Sequence, residues 1–364
     1  MSNSASQRFL ALDVFRGLTL ALMIIVNTPG GERSYGPLEH AIWHGFTLTD
    51  LVFPSFLFVV GAAMSLSMKK FAAHDEAYFL RSVIKRGLLI FLCGYLLYWF
   101  PFFTPDFALA PFANTRVMGV LQRIGLCYLF ATLIVRYTGL RGAAIFSVIA
   151  LLGYWWILAS FGDYTLGRNA VLKLDLAVLG APHMYHGEGI AFDPEGILST
   201  LPSIVNVLAG YGAAVWLQRG QRTLAPLVVA GAACLLLAYG WDAVLPINKK
   251  LWTGSFVICT VGWDLIMLAV LVGVIDMAGL RFGTYFFEVF GKNTLFIYVL
   301  ADVAVIVLAR LHVGGEMLYR WLYQVLFLSW ASPYNASLLF AVAYMLSCWL
   351  VAYVMDRKKI YIKL

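Results

Sequence analysis

The sequence predicts an all-α polytopic membrane protein, a bundle of ten transmembrane helices, or eleven if one amphipathic segment also crosses. Three observations carry that expectation. Hydrophobic residues make up 62% of the 364 residues and charged ones only 12%. The mean hydropathy is +0.82. Apolar runs long enough to cross about 30 Å of hydrocarbon recur along the whole chain.

The first run, 10–27, reads LALDVFRGLTLALMIIVN. Asp13 and Arg16 interrupt it and no small-residue cleavage site follows, so it is expected to stay as a span and not to be removed as a signal segment. A Gly-rich polar turn carrying His40 leads to the second run, 48–67, which opens with Asp50. Runs at 83–100, 118–136 and 142–160 follow, with Arg123 of VLQRIG inside the fourth. The connection at about 161–199 is rich in His183, His186, Glu188, Asp193 and Glu195, and a loop of that length in a compact bundle is functional or a lid. Its closing Asp193-Pro194-Glu195-Gly196 is expected to open the sixth run, 198–217, with Asp193 at the cap and Glu195 in the first turn. Between runs 224–241 and 255–275 lies LPINKKLWTGS, with Asn248, Lys249 and Lys250. Lys292 and Asn293 cap and snorkel at the start of run 293–311. EMLYRWLYQVLFLSW is amphipathic and lies in the interface or adds the eleventh crossing, and the last run is 335–355. No connection is long enough for a soluble domain, so residues 1–364 are read as a single transmembrane domain.

Short cytoplasmic loops collect Lys and Arg. Placing both termini in the cytoplasm gathers Arg8, Lys69, Lys70, Arg81, Lys85, Arg86, Arg136, Arg141, Arg219, Arg222, Arg281 and the closing Arg357-Lys358-Lys359 on that side, and turns the His40 loop and the 161–199 loop outward. The net charge of +7 reports orientation and attraction to lipid, and implies no nucleic acid. Lys249 and Lys250 face outward against this rule, as residues that hold an anion or a polar substrate would. All five cysteines fall inside predicted spans without CxxC spacing and read as small core hydrophobes.

Ionisable groups inside a membrane segment need a reason. Asp13, Arg16, Asn27, His40 and Asp50 concentrate in the first hairpin. Asp13 and Arg16 at i, i+3 can neutralise each other or serve a function. Arg123 has no neighbouring partner in sequence, which suits a phosphate or carboxylate contact; Asp264 and Asp302 are acids within spans that could pair with it. His40 and His44 at i, i+4 could make half a metal site, yet no third ligand and no HExxH accompany them, and His183 with His186 fare no better, so no metal is expected.

The blocks LDVFRGLTLALMIIVN, LEHAIWHGFTLTDLVFPSFLFVVG, GVLQRIGLCY, DPEGILSTLPS, PINKKLWTGSF, FGKNTLFIYV and RKKIYIKL resemble, in order, the transmembrane acyltransferase family typified by heparan-alpha-glucosaminide N-acetyltransferase and the bacterial NagX-type membrane proteins. The resemblance implies transfer of an acetyl group from acetyl-CoA to an amino sugar or cell-wall glycan fragment, in a bacterial inner membrane. It makes His40 the catalytic candidate, in the EHA that precedes WHG, with Asn27 and Asp50 framing it.

The residue types suit that chemistry. Acyl transfer to an amine needs a base, and imidazole titrates near neutrality. His40 could instead attack the thioester and carry the acetyl group. Asn27 can donate to the developing oxyanion, and Asp50 can set the imidazole tautomer. No soluble-enzyme CoA loop is present, so the CoA phosphates would be held between helices by Arg16, Arg123 or Lys249 and Lys250, with Asp193, Glu195 and Asn248 toward the acceptor. The exposed aromatic residues of the spans make a homodimer reasonable. The rival reading is a transporter of N-acetylglucosamine or related sugars, which would move solute without consuming CoA; the absence of an inverted repeat speaks against it.

Overall fold

The computed structural model describes residues 10–104, 106–220 and 223–362. Their regular secondary structure is almost entirely helical. In chain order the helices are α1 (Leu10–Asn27), α2 (Leu48–Phe71), α3 (Glu76–Trp99), α4 (Val120–Phe161), α5 (Ala170–Val178), α6 (Thr200–Leu217), α7 (Ala225–Asp242), α8 (Gly254–Leu271), α9 (Thr284–Lys292), α10 (Thr294–Arg310), α11 (Leu318–Tyr323) and α12 (Pro333–Arg357). A two-stranded hairpin, β1 (His312–Val313) with β2 (Glu316–Met317), precedes α11. Seven helices among the described residues are long and apolar enough to cross a membrane, or eight when α9 and α10, which meet at 83°, are taken as one broken span.

Local chemistry explains where the helices stop. α4 is 42 residues long and is interrupted at Gly139, whose φ of 64° a side chain would resist. α8 runs on through a π-helical turn, Val272–Met277. The segment 316–330 forms only the short α11 followed by a π turn, Gln324–Leu328.

One sequence expectation is corrected here. Asp193-Pro194-Glu195-Gly196 does not open α6; the helix starts at Thr200, after a series of turns. The Asp193 side chain accepts from the Glu195 N–H at 3.0 Å and closes its own turn, which competes with capping a helix.

The chain divides into two compact units. The first takes in described residues 10–40, 47–56 and 270–362. Within it α1 packs on α9 with almost no space between the backbones: a side-chain carbon on Gly17 would lie 1.8 Å from the Phe287 carbonyl oxygen. Lipid tails offer helices no hydrophobic gain on association, so small residues that admit such contact hold the helices together. The α9–α10 bend is tied to the C-terminal segment. Lys292 donates to Asp356 at 2.8 Å, Tyr285 and Tyr361 donate to the same carboxylate, and the Asn293 amide bonds the backbone at Ile360 and Ile362. Lys292 is thus an ion-pair partner, which its expected snorkelling role did not include.

The second unit takes in described residues 41–46, 57–104, 106–220 and 223–269. α3 and α6 both pack on α4, and α2 and α6 meet through Gly61 and Gly210, where an added carbon would lie 1.8 Å from the carbonyl oxygens of Val207 and Phe58 respectively. Beyond the end of α4, the connection 162–199 and the turn before α8 form a small core of their own. Tyr154, Leu158, Val171, Phe192, Leu245 and Leu251 make up its centre, and the Tyr154 hydroxyl donates to the Leu251 carbonyl at 2.5 Å.

Candidate active site

In the first unit, the loop between α1 and α2 carries His40 to the N-terminus of α2. The three residues Gly36–Leu38 form a 3-10 turn, and the chain is then irregular until Leu48. Thr47 and Asp50 make a capping arrangement there. Asp50 Oδ2 accepts from the Thr47 N–H at 3.1 Å, which binds a backbone donor that the helix itself cannot satisfy. The other carboxylate oxygen, Oδ1, lies 2.7 Å from His40 Nδ1. Asp50 is 1% exposed and the His40 side chain 45% exposed, so a buried anion at a helix N-terminus holds an accessible imidazole. A carboxylate facing Nδ1 selects the tautomer with its proton there, which puts the basic lone pair on Nε2.

Asn27 ends α1 as an exposed residue and makes no hydrogen bond to His40 or Asp50. Arg16 lies 3.5 Å from Asp13 and donates to the Gly291 carbonyl at 3.3 Å, so the i, i+3 pair forms within α1.

In the second unit, residues 41–46 dock on the turn before α8. Gly45, at a φ of 112° that favours glycine, donates to the Ile247 carbonyl at 2.8 Å. Trp43 donates to the Tyr164 carbonyl at 2.7 Å and meets Phe192 edge-on. Asn248 is fully buried and organises this turn: its Oδ1 accepts from the Leu251 N–H at 2.8 Å, and its amide nitrogen lies 3.2 Å from His44 Nδ1. Burial pushes the His44 imidazole below its ordinary pKa, partly offset by Asp242, so it is neutral and accepts from Asn248. Lys250 pairs with Glu188 at 2.6 Å and donates to the Ile42 carbonyl.

The strongest charge cluster of this unit centres on Arg116. Its guanidinium grips Asp193 with two bonds of 2.9 and 2.7 Å and reaches Glu195 at 2.6 Å. It is sandwiched between the rings of Tyr98 and Tyr185, 4.8 and 4.9 Å from their centroids. Burial opposes the charge on Arg116, and Asp193, Tyr98 and Glu195 more than offset it. Burial raises the Asp193 carboxyl against the pull of Arg116, whereas Arg116, Arg123 and Lys249 hold Glu195 below its ordinary value despite its burial. Asp175 of α5 braces the same turn by accepting from the Ile197 N–H at 3.0 Å, and burial pushes its carboxyl up to about 7.

Arg123 is fully buried on α4. Its Nη2 donates to the Gly196 carbonyl at 3.2 Å and to the Ser199 hydroxyl, and its guanidinium lies 4.8 Å above the Trp252 ring. Nε and Nη1 have no hydrogen-bond partner among the described residues, and Arg123 forms no ion pair there.

The structure therefore brings His40 to Asp50 in one unit, and Asp193 to Glu195, with Arg123 beside them, in the other. Arg116 was missed as a site residue. Nothing in its local sequence marks it, because its partners lie 77 and 79 residues away. Among the described residues no group of three or more His, Cys, Asp or Glu could hold a metal ion.

Comparison with known proteins adds the family. The family described as heparan-alpha-glucosaminide N-acetyltransferase, catalytic, matches residues 8–240. Heparan-alpha-glucosaminide N-acetyltransferase of Homo sapiens is 30% identical, over 80% of this chain and 52% of that protein. The Mus musculus protein of the same name is 28% identical, over 81% of this chain and 53% of that protein. The chain spans about half the length of the curated relatives it matches.

Proposed function

Since the chain belongs to the heparan-alpha-glucosaminide N-acetyltransferase catalytic family, we propose that it is a membrane acetyltransferase, moving an acetyl group from acetyl-CoA to an amino sugar or cell-wall glycan fragment. The observation that carries this reading is the buried Asp50 carboxylate 2.7 Å from His40 Nδ1. In the proposed reaction the acceptor nitrogen attacks the acetyl carbonyl carbon, the new C–N bond forms, and the C–S bond to CoA breaks. His40 Nε2 takes the proton that the nitrogen loses, and Asp50 stabilises the imidazolium that results. The departing thiolate takes up a proton and leaves as free CoA. Asn27, an exposed amide at the end of α1, is our candidate donor to the carbonyl oxygen as charge develops on it.

For the acyl donor we assign the phosphates to Arg16, Arg123, Lys249 and Lys250. The two unbonded nitrogens of Arg123, Nε and Nη1, support its share of that role. Asp193, Glu195 and Asn248 we assign to the acceptor.

The topology we favour is ten crossings with both termini in the cytoplasm of a bacterial inner membrane. A straight helix of 42 residues would measure roughly 63 Å, twice the hydrocarbon thickness, which supports two crossings separated by Gly139. With α3 and the broken α9–α10 pair each counted once, the total is ten. We propose a homodimer as the assembly.

The test is free-thiol release from acetyl-CoA by the purified protein, with glucosamine and related amino sugars as acceptors. Acceptor-dependent release that disappears in His40→Ala is expected; no release with any acceptor would overturn the assignment. A burst of thiol before acceptor is added would identify an acetyl-imidazole relay in place of direct transfer.

A further inference from the structure

A cavity of about 450 Å³ opens in the second unit among α2, α4 and α6, lined in part by Lys69, Arg136, Arg219 and Gln218. It lies where α2 and α6 end and α4 breaks at Gly139. Two of its cations are uncompensated: Arg136 pairs with Glu76 at 2.9 Å, whereas Lys69 and Arg219 have no ion pair among the described residues. Lys69 in the last turn of α2 complements the helix dipole, and basic residues at the helix ends orient a membrane protein, which alone accounts for the charges. It does not account for a cavity of ligand size. Nor does it account for Gln218, whose amide nitrogen is committed to Ser65 at 2.7 Å while its oxygen is buried without a donor.

The contents required are therefore an anion for Lys69 and Arg219 and a hydroxyl donor for Gln218 Oε1. Val135 and Val215 add apolar wall, so the ligand continues into hydrocarbon. We propose that this cavity binds the phosphate headgroup of an anionic phospholipid bearing headgroup hydroxyls, as phosphatidylglycerol does. Basic pockets between membrane helices hold such headgroups because phosphate is desolvated there only against fixed cations.

The experiment is native mass spectrometry of the full-length protein released from phosphatidylcholine nanodiscs doped with phosphatidylglycerol. Each cation near the surface contributes about fivefold to anionic-lipid binding. The double variant Lys69→Gln, Arg219→Gln should therefore retain roughly 25-fold less phosphatidylglycerol than the wild type. Val215→Trp adds an indole to the apolar wall and keeps every charge, so it should also weaken retention of the bound lipid, whatever the folding yield of the double variant. Retention in Val215→Trp equal to wild type would overturn the proposal. So would stoichiometric displacement of the lipid by adenosine 3′,5′-bisphosphate, which would give the cavity to a soluble nucleotide.

Discussion

Asp50 ties a helix cap to an imidazole through its two oxygens: Oδ2 caps α2 through the Thr47 N–H at 3.1 Å, and Oδ1 holds His40 Nδ1 at 2.7 Å. The imidazole is thereby fixed to a rigid helix end although it sits in an irregular loop. A group on a loop is normally mobile; here one buried carboxylate supplies the orientation that the proposed base would require.

Asp50→Asn tests that arrangement. An amide can donate to Nδ1 where the carboxylate only accepts, which favours the wrong tautomer. Turnover should fall by about 10²–10⁴-fold, with KM for acetyl-CoA little changed. Steady-state thiol-release kinetics check it, and a KM effect without a kcat effect would assign Asp50 to substrate binding and not to the chemical step.

Arg116 is the cation on which Asp193 and Glu195 both depend. Arg116→Met would leave two largely buried carboxylates without it, at a cost of about 3–5 kcal/mol. Arg116→Lys should recover only part of that, because an ammonium cannot reproduce the two-bond grip on Asp193. Thermal unfolding in detergent should rank wild type above Lys above Met.

The Asp175 carboxyl, raised by burial to about 7, gives stability a sign with pH. The folded state binds this proton more tightly than the unfolded chain, so its contribution is fully present below about 4 and is lost as pH rises through about 7. Asp175→Asn keeps the oxygen that accepts from Ile197 and removes the titration. The variant should match the wild type at about pH 3.5, below the unfolded pKa, and exceed it at about pH 8, by up to roughly 4 kcal/mol. Melting curves at the two pH values decide this, and an unchanged wild-type pH slope in the variant would refute it.

Gly61 and Gly210 set the spacing of α2 and α6. Gly61→Ala would place a carbon 1.8 Å from the Val207 carbonyl oxygen, so the helices must separate. A loss of about 1–3 kcal/mol is expected, measured as denaturant or thermal stability. Gly212→Ala, where nothing lies within 4 Å, is the control and should be neutral.

The membrane-crossing runs were legible before any coordinates because run length is a one-dimensional quantity. Residues 10–27, 200–217 and 225–242 become helices within two residues of the apolar runs that announce them. Of the candidate site residues the sequence made only the types and positions legible: Asp50 opens an apolar run, while His40, Asp193 and Glu195 lie in the polar connections between runs. The local ion pair of Asp13 and Arg16 was legible too, since i, i+3 spacing alone puts both on one helix face.

What the sequence determined by itself is the solvent, the helices and the inventory of chemistry, since composition and periodicity are local. Only the tertiary structure decided the pairings. Asp193 looks like a helix cap in sequence; it forms a turn because its carboxylate is claimed by Arg116 from another segment. Arg123 looks ready for an acid; folding gives it a carbonyl, a hydroxyl and the face of Trp252. Side chains remote in sequence meet according to how the helices pack, and that packing turns on contacts such as Gly61 on Val207, which no periodicity records.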